Sequence, residues 1–305
     1  MLIPANFPNL IDPVLDHVFH TTLDEERKAD HYREKVFTIT KNNRSTDRFL
    51  GIGGLADFAE HKGAMQVDYI YEQYMRTVTP IEYSKKLPIS KRLLEEDLYD
   101  EVESVPAMMA RAFNRTQEKQ TADTFNGAFD TITTADGLSL CNTAHTSKSP
   151  DAGANQSNSG TLALTYANLI TTRRLIRQFK DDRGELMECR GDLLIAPINL
   201  EQTAREIIEG EFKHQSMDRD PNVARGILGG GGTIDLWVWD RMSDIDNWFL
   251  VDKRMMKLAC RWIDKVRLET KTVWDHDHRA IIYSAYARYT RGVRDWRWVY
   301  GHKVA

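Results

Sequence analysis

Apolar positions change period several times along this chain, and each change predicts an element. Residues 1–35 carry only a thin apolar stripe and read as an arm. Pro4, Pro8 and Pro13 disfavour regular structure at its start. The charged run TTLDEERKADHYREK permits a helix but would gain order mainly from a neighbour. From 36 to 89 the chain turns to aromatic and β-branched residues. KVFTIT reads as a short strand, FLGIGGLADFAEHKGA as a glycine-containing connection, and QVDYIYEQYM and RTVTPIEYSKKLPI as longer strands. Val67, Tyr69 and Tyr71 share one face by period two. Val78 and Ile81 are out of strict register, and Pro80 denies a backbone donor. That suits a projecting hairpin better than a central sheet. An exposed hairpin edge invites pairing, so the pattern implies that another subunit covers it.

Residues 90–129 predict the longest helix. Ser90 is placed to cap it, and Glu95, Glu96 and Asp97 suit its positive end. Pro106 is expected to break or kink it, and Met109, Phe113, Phe125 and Phe129 are its apolar anchors. Residues 130–164 are rich in Ser, Thr, Asn, Gly and Asp, with little to bury, and read as a long loop of the kind that carries function. Residues 165–212 read as helix, turn, strand, helix. Leu169, Ile170, Ile176 and Phe179 have helical spacing, DDRG is the turn, and DLLIAP is a buried strand stopped by Pro197. Asn199 and Gln202 resemble a capping box ahead of a face formed by Leu200, Ala204, Ile207 and Ile208. A flexible loop, KHQSMDRDPNVARGILGGGG, precedes two strands, TIDLWVWD and NWFLVD. Near the C-terminus Ile281, Tyr283, Ala285, Ala287 and Tyr289 form one strand face, and Trp296, Trp298 and Tyr300 one face of another. With VRLETKTVW these make an antiparallel sheet.

Composition narrows the function without supplying chemistry. The 305 residues are enough for one large domain or two small ones and need no disulfide or metal staple. A formal net charge of -4 argues against a surface dedicated to nucleic acid, while leaving DNA possible as a neighbour. Cys141, Cys189 and Cys260 are far apart and read as free thiols of a reducing cytosol. There is no basic and apolar leader, and no apolar run approaches the ~18 residues of a membrane span. Asp275, His276, Asp277 and His278 alternate metal-ligating types, the basis of a metal-dependent hydrolase alternative. Neighbours in a strand point apart, however, and the run falls where a turn is expected. Gly51–Gly54 and Gly229–Gly232 lack the Lys-Ser/Thr ending of a phosphate loop. His145 and Ser147 are close in sequence, but no nucleophile elbow surrounds them. The Trp and Tyr stripe could stack bases, yet alternation fits a sheet packed on a helix better. No catalytic residue, cofactor site or metal site is assigned. What remains is an arm, a hairpin, a long helix and two long loops, the profile of a subunit made for contacts.

At DGLSLCNTAHTS the chain resembles the major capsid proteins of tailed bacteriophages, which share the Hong Kong 97 fold, Mu-like major head subunits among them. The resemblance continues in order. LALTYANLITTRRLIRQFKDDRGELMECRGDLLIAPINLEQTAREII looks like their helix, turn, strand and second helix. FLGIGGLADFAEHKGAMQVDYIYEQYMRTVTPIEYSKKLPISKRLLEEDLYD resembles the loop leading into their spine helix, and ARYTRGVRDWRWVYG their closing strands. It covers most of residues 45–301. It implies an α+β capsid fold with an N-terminal arm (1–35) and an extended loop (36–89, its projecting part about 44–85). A peripheral domain (90–129 and 263–305) holds the spine helix and C-terminal sheet, and an axial domain spans 130–262. It implies hexamers and pentamers of this chain in a virion shell assembled in the bacterial cytoplasm around double-stranded DNA without sequence-specific binding. The implied partners are a separate scaffolding protein and a portal, and the resemblance leaves open whether a cementing protein joins them. With only about 35 residues before the extended loop and Met1 present, no fused, cleaved scaffold is expected. Some relatives crosslink subunits through Lys and Asn; no motif here transfers that role to Lys62. Tyr69, Tyr71, Tyr74 and Met75 are the candidate inter-subunit contacts. An encapsulin-like compartment with enzyme cargo is the alternative of the same fold.

Overall fold

The structure is a computed structural model. It describes residues 8–52, 69–90, 101–149, 153–212, 220–228 and 232–304, together with 54, 58, 60, 63, 67 and 92. Two sheets and one long helix organise it. A four-stranded sheet has the order β1 (Thr38–Lys41), β9 (Cys260–Asp275), β10 (Ala280–Val293), β4 (Ile81–Ser90). A five-stranded sheet has the order β5 (Ser159–Gly160), β11 (Val299–His302), β8 (Trp248–Val251), β6 (Leu193–Ala196), β7 (Asp235–Val238). β2 (Asp47–Ile52) and β3 (Glu72–Val78) pair by themselves. The helices are α1 (Pro8–Asp30), α2 (Tyr32–Val36), α3 (Glu101–Asn126), α4 (Tyr166–Arg177), α5 (Glu201–Glu209) and α6 (Lys253–Ala259).

The five-stranded sheet holds the main core. Every residue of β6, β8 and β11 is buried, so these strands carry no alternation and β6 and β8 read as continuous apolar runs. Leu169 and Ile176 of α4 and Ala204, Ile207 and Ile208 of α5 join the same core. α3 serves both sheets. Its first half places Met109 and Ala110 against Tyr283 and Ala285 of β10, and its second half sends Ala122 and Phe125 into the main core. The alternation expected on β10 is present: Ile281, Tyr283, Ala285, Ala287 and Tyr289 are all buried.

Several sequence expectations are corrected. The N-terminal segment is regular: α1 runs from Pro8 to Asp30. Its thin stripe of Leu15, Phe19 and Leu23 suffices because Met109, Ala110 and Tyr283 receive it within the same chain. Asp16 Oδ1 adds hydrogen bonds from Thr270 Oγ1 (2.6 Å) and the Tyr283 hydroxyl (3.2 Å). Pro106 does not end α3, which runs through it. Ser90, read as a helix cap, is the last residue of β4; Glu95, Glu96 and Asp97 lie outside the described residues. Residues 81–90 are not part of a projecting hairpin, since β4 pairs along its length with β10 as a sheet edge, the position where its Pro88 costs least. The strand predicted at 66–75 begins only at Glu72, so Val67, Tyr69 and Tyr71 share no strand face. The residue before α5 is Leu200, with no side-chain cap, because Asn199 falls in a short 3-10 turn. Trp296 and Trp298 precede β11 in a turn, and β11 joins the five-stranded sheet, not the sheet of β9 and β10.

Candidate assembly surface

The β2–β3 ribbon stands on a small apolar foot. Phe49 of β2, Val78 of β3 and Ile263 of β9 bury one another. The fit depends on Gly292 of β10: a Cβ there would lie 2.5 Å from Phe49 Cε2 and 3.1 Å from Val78 Cγ1. Arg76 Nη1 donates to the Val293 carbonyl (3.3 Å), and burial lowers the pKa of its guanidinium. Alternation then leaves the opposite side uncovered. Leu50 and Met75 are cross-strand partners, and both are exposed.

Above the foot, contacts with the body become polar. The Tyr74 hydroxyl lies 2.9 Å from Thr146 Oγ1, and Lys148 Nζ sits 4.8 Å from the Tyr74 ring centre. Gln73 Oε1 accepts from the Lys148 amide (3.1 Å) and the Ser147 hydroxyl (3.3 Å). The DDRG turn supplies a second dock. Asp181 Oδ1 accepts the amides of Arg183 (2.8 Å) and Glu185 (3.0 Å), and Gly184 takes the left-handed φ of +90° that closes the turn. From it, Asp182 Oδ2 accepts the Gly54 amide (3.1 Å), and Arg183 Nε donates to the Gly54 carbonyl (3.0 Å). Arg183 Nη2 donates to the Tyr69 carbonyl, and its guanidinium lies 5.9 Å from the Tyr71 ring centre.

The loop that receives Tyr74 is packed, contrary to the expectation that it has little to bury. His145, of the TAHT segment, is buried and stacks on Trp296 at 4.3 Å and 8°. Its Nδ1 lies 2.6 Å from Asp136 Oδ2 and its Nε2 3.1 Å from Asn158 Oδ1. Burial works against the Asp136 carboxylate, but hydrogen bonds from His145 and Thr134 outweigh it and hold its pKa below the ordinary value. Asn158 Nδ2 donates to the Leu140 (2.8 Å) and Val299 (3.2 Å) carbonyls, tying the loop to β11.

Of the four candidate contacts, three are open. Tyr69 is 68% exposed, Met75 49% and Tyr71 38%. Tyr74 is half-buried and is an internal anchor on Thr146. Sequence reasoning passed over Val67 (76%) and Ile70 (57%) as contacts, and also Leu50.

The catalytic-looking features do not assemble. Asp275 to His278 form the turn between β9 and β10, where Asp275 Oδ1 accepts the Asp277 amide and Oδ2 lies 2.8 Å from His278 Nδ1. His276 instead accepts from the Trp274 indole. Among the described residues no group of three His, Cys, Asp or Glu side chains is placed to hold a metal ion. Ser147 turns to Gln73 while His145 is held by Asp136 and Asn158, so the two are not a nucleophile and base. Trp296, Trp298 and Tyr300 are buried and offer bases no stacking face. Cys141, Cys189 and Cys260 are buried free thiols; burial pushes the Cys189 thiol up to about 12 and the other two up as well. Lys62, Gly53 and Gly229 to Gly231 lie outside the described residues. No helix among the described residues is long and apolar enough to cross a membrane.

Residues 73–301 match the family model described as Phage capsid protein. No curated protein matches the chain. Among solved structures, the capsid of the Cyanophage P-SCSP1u is similar with a TM-score of 0.58 at 12% identity, over 90% of this chain and 88% of that one. The capsid of an empty GTA particle is similar with a TM-score of 0.54 at 14% identity, over 90% and 89%. A virus-like particle from Pyrococcus furiosus is similar with a TM-score of 0.54 at 9% identity, over 94% and 98%.

Proposed function

We propose, from the premise that this chain belongs to the phage capsid protein family and is a major capsid subunit with the α+β Hong Kong 97-type fold, how its surfaces build a shell. The carrying observation is the β2–β3 ribbon: its foot is buried in its own subunit, while the apolar side chains of Leu50 and Met75 on it and of Val67, Tyr69, Ile70 and Tyr71 just before β3 are exposed. Tyr69, Tyr71 and Met75 are inter-subunit anchors, burying against a neighbouring copy within hexamers and pentamers; Tyr74 positions them from inside. Closed symmetry covers the same surface on every copy.

In this reading the four-stranded sheet with α1 and α3 is the peripheral domain, the five-stranded sheet with α4 and α5 is the axial domain, and β2–β3 is the extended loop. The shell encloses double-stranded DNA, forms in the bacterial cytoplasm with a separate scaffolding protein, and joins a portal. The subunit catalyses no reaction. An encapsulin-like compartment is the alternative of the same fold, but the family match favours the phage head. The test is microscopy of the purified full chain, alone and co-expressed with a scaffolding protein. Closed shells whose absorbance ratio reports nucleic acid after packaging are expected. Persistent monomers under both conditions, or shells filled with protein cargo, refute the reading.

A further inference from the structure

α4 and α5 are helices of opposite charge on one sheet. α4 packs against β8 and β11, and α5 against β7, the edge strand beyond β6. α4 contains three arginines and no carboxylate, whereas α5 contains three glutamates and one arginine. With Leu169, Thr172 and Ile176 buried, Ile170, Arg173, Arg174 and Arg177 share one flank of α4 by their i, i+3, i+4, i+7 spacing. Arg174 and Arg177 are exposed. Arg173 is half-buried, and its buried Nε has no hydrogen-bond partner among the described residues. Burial and then the proximity of Arg177 lower the Arg173 pKa. The helix dipole favours cations in a last turn, but it supplies Arg173 Nε with no acceptor. On α5, with Ala204, Ile207 and Ile208 buried, Glu201, Arg205 and Glu209 share one flank. Arg205 Nε lies 2.9 Å from Glu201 Oε1, and its Nη1 3.1 Å from Glu209 Oε1. The hydrogen bond to Glu201 and then the charge of Glu209 raise the Arg205 pKa, the reverse of the direction at Arg173.

We propose that the arginine flank of α4 on one copy of this chain docks on the glutamate flank of α5 on the next, a head-to-tail contact repeated around each ring of copies. Two unlike surfaces, set toward opposite edges of one sheet, make such a contact heterologous, the kind that closes rings. The residue types fit, because a planar guanidinium takes a carboxylate by two parallel hydrogen bonds. Charge also selects the order of copies. A head-to-head arrangement would set the three arginines of α4 against the same three arginines, whereas head-to-tail sets them against glutamates. Each exposed pair is weak alone, so the contact fixes register and partner choice more than it adds affinity. It uses residues other than Tyr69, Tyr71 and Met75. The inference deepens the reading of a ring-forming shell subunit and rests on it.

The experiment reverses each flank in the full-length chain: Arg174→Glu/Arg177→Glu on α4, Glu201→Lys/Glu209→Lys on α5, and all four together. Thermal melting establishes that each variant is folded. Particles are counted by negative-stain microscopy under the conditions in which the wild-type chain forms shells. Each double variant sets like charges together at every contact and should lower particle yield about tenfold or more. The fourfold variant restores opposite charges and should form closed shells again. Co-expressing the two double variants gives a sharper result. Their copies meet oppositely charged neighbours only by alternating, which a hexamer allows and a pentamer does not, so sheets or tubes of hexamers without closed shells are expected. Wild-type yield from either double variant overturns the proposal. So does a folded fourfold variant that assembles no better than the doubles. Should the fourfold variant misfold, co-expression decides, and no gain in hexamers over either double variant alone overturns it. Closed shells at wild-type yield from the co-expressed pair overturn the ring contact as well. Shells of the α4 variant that lack nucleic acid assign the arginines to DNA, which also overturns it. If the wild-type chain forms no shells, the shell reading falls alone. Native mass spectrometry then decides this contact: mixed oligomers from the two double variants, seen with neither alone, support it, and their absence overturns it.

Discussion

Replacing Tyr69 and Tyr71 together by Ser separates folding from assembly. Burying an aromatic side chain completely is worth about 1.5–3 kcal/mol, but Tyr69 is 68% exposed and Tyr71 38%, so folding recovers only part of that at either site. The Arg183 guanidinium at 5.9 Å from the Tyr71 ring adds about 0.5 kcal/mol at such an exposed position. The variant therefore loses about 1 kcal/mol of subunit stability, which for a chain of this size lowers the melting temperature by roughly 1–2 °C. On the proposed reading the same residues are anchors in the shell, so truncating one should cost about 2 kcal/mol or more, a roughly thirtyfold weaker contact repeated at every copy. Thermal melting of the free subunit and sedimentation yield of particles are measured on the same preparations. Phe49→Ala, which empties the buried foot, is the reference for a folding defect of about 3–5 kcal/mol. The expected result is near-normal melting with particles lost. If the double variant melts as early as Phe49→Ala while its surviving protein still forms shells, or if melting and particle yield are both unchanged, the reasoning fails.

Gly292→Ala should destabilise by about 1–3 kcal/mol, read as a lower urea midpoint, because the new methyl meets Phe49 at 2.5 Å; combining it with Phe49→Leu should restore part of the loss. His302 should give the protein an acid-sensitive window. Burial lowers its pKa to about 4 from an ordinary 6.5, so its stabilising effect is whole above 6.5 and is lost as the pH falls toward 4, by roughly 3 kcal/mol in total. Nδ1 accepts the Leu162 amide, so a proton there has no acceptor; His302→Gln should be less stable at neutral pH yet lose less on acidification, by urea midpoints at pH 7 and 4.5.

How far the sequence could be read depended on where each residue's partners lie. β6 and β8 were legible because strands buried on both faces must be apolar throughout, and β10 because one covered face enforces period two. α1 was not, because the receiving surface of Met109, Ala110 and Tyr283 that buries Leu15, Phe19 and Leu23 is distant in sequence. The loop around His145 misled for the opposite reason. Polar composition suggested solvent, but His145 and Asn158 are buried with their hydrogen-bonding groups facing partners distant in sequence, which composition does not record. Trp296 and Trp298 imitate a strand's alternation although the chain there is a turn, each ring finding its own pocket against His145 and Phe125. At the candidate surface, exposure of Tyr69, Tyr71 and Met75 followed from excess aromatic residues on a segment with nothing local to cover them. Tyr74 belongs to the other class, since only the fold brings Thr146 to its hydroxyl.

The ribbon is held by two kinds of contact, and the difference between them bears on how a shell is built. Its foot is apolar, where Phe49, Val78 and Ile263 exclude water and Gly292 admits no looser fit, so the point of attachment is fixed. Its upper contacts are single hydrogen bonds and half-exposed cation–ring pairs through Thr146, Lys148, Asp182 and Arg183, each worth about 1 kcal/mol or less net of water. Such contacts orient the upper ribbon but lose little when it turns, because water replaces them. Apolar packing along its whole length would have frozen one orientation, at odds with copies in hexamers and pentamers that meet neighbours at different angles. On the proposed reading, a fixed foot with exchangeable polar props would let one sequence present Tyr69 and Tyr71 to both kinds of neighbour. The proposal then makes association, not folding, the step that removes the uncovered apolar side chains from water.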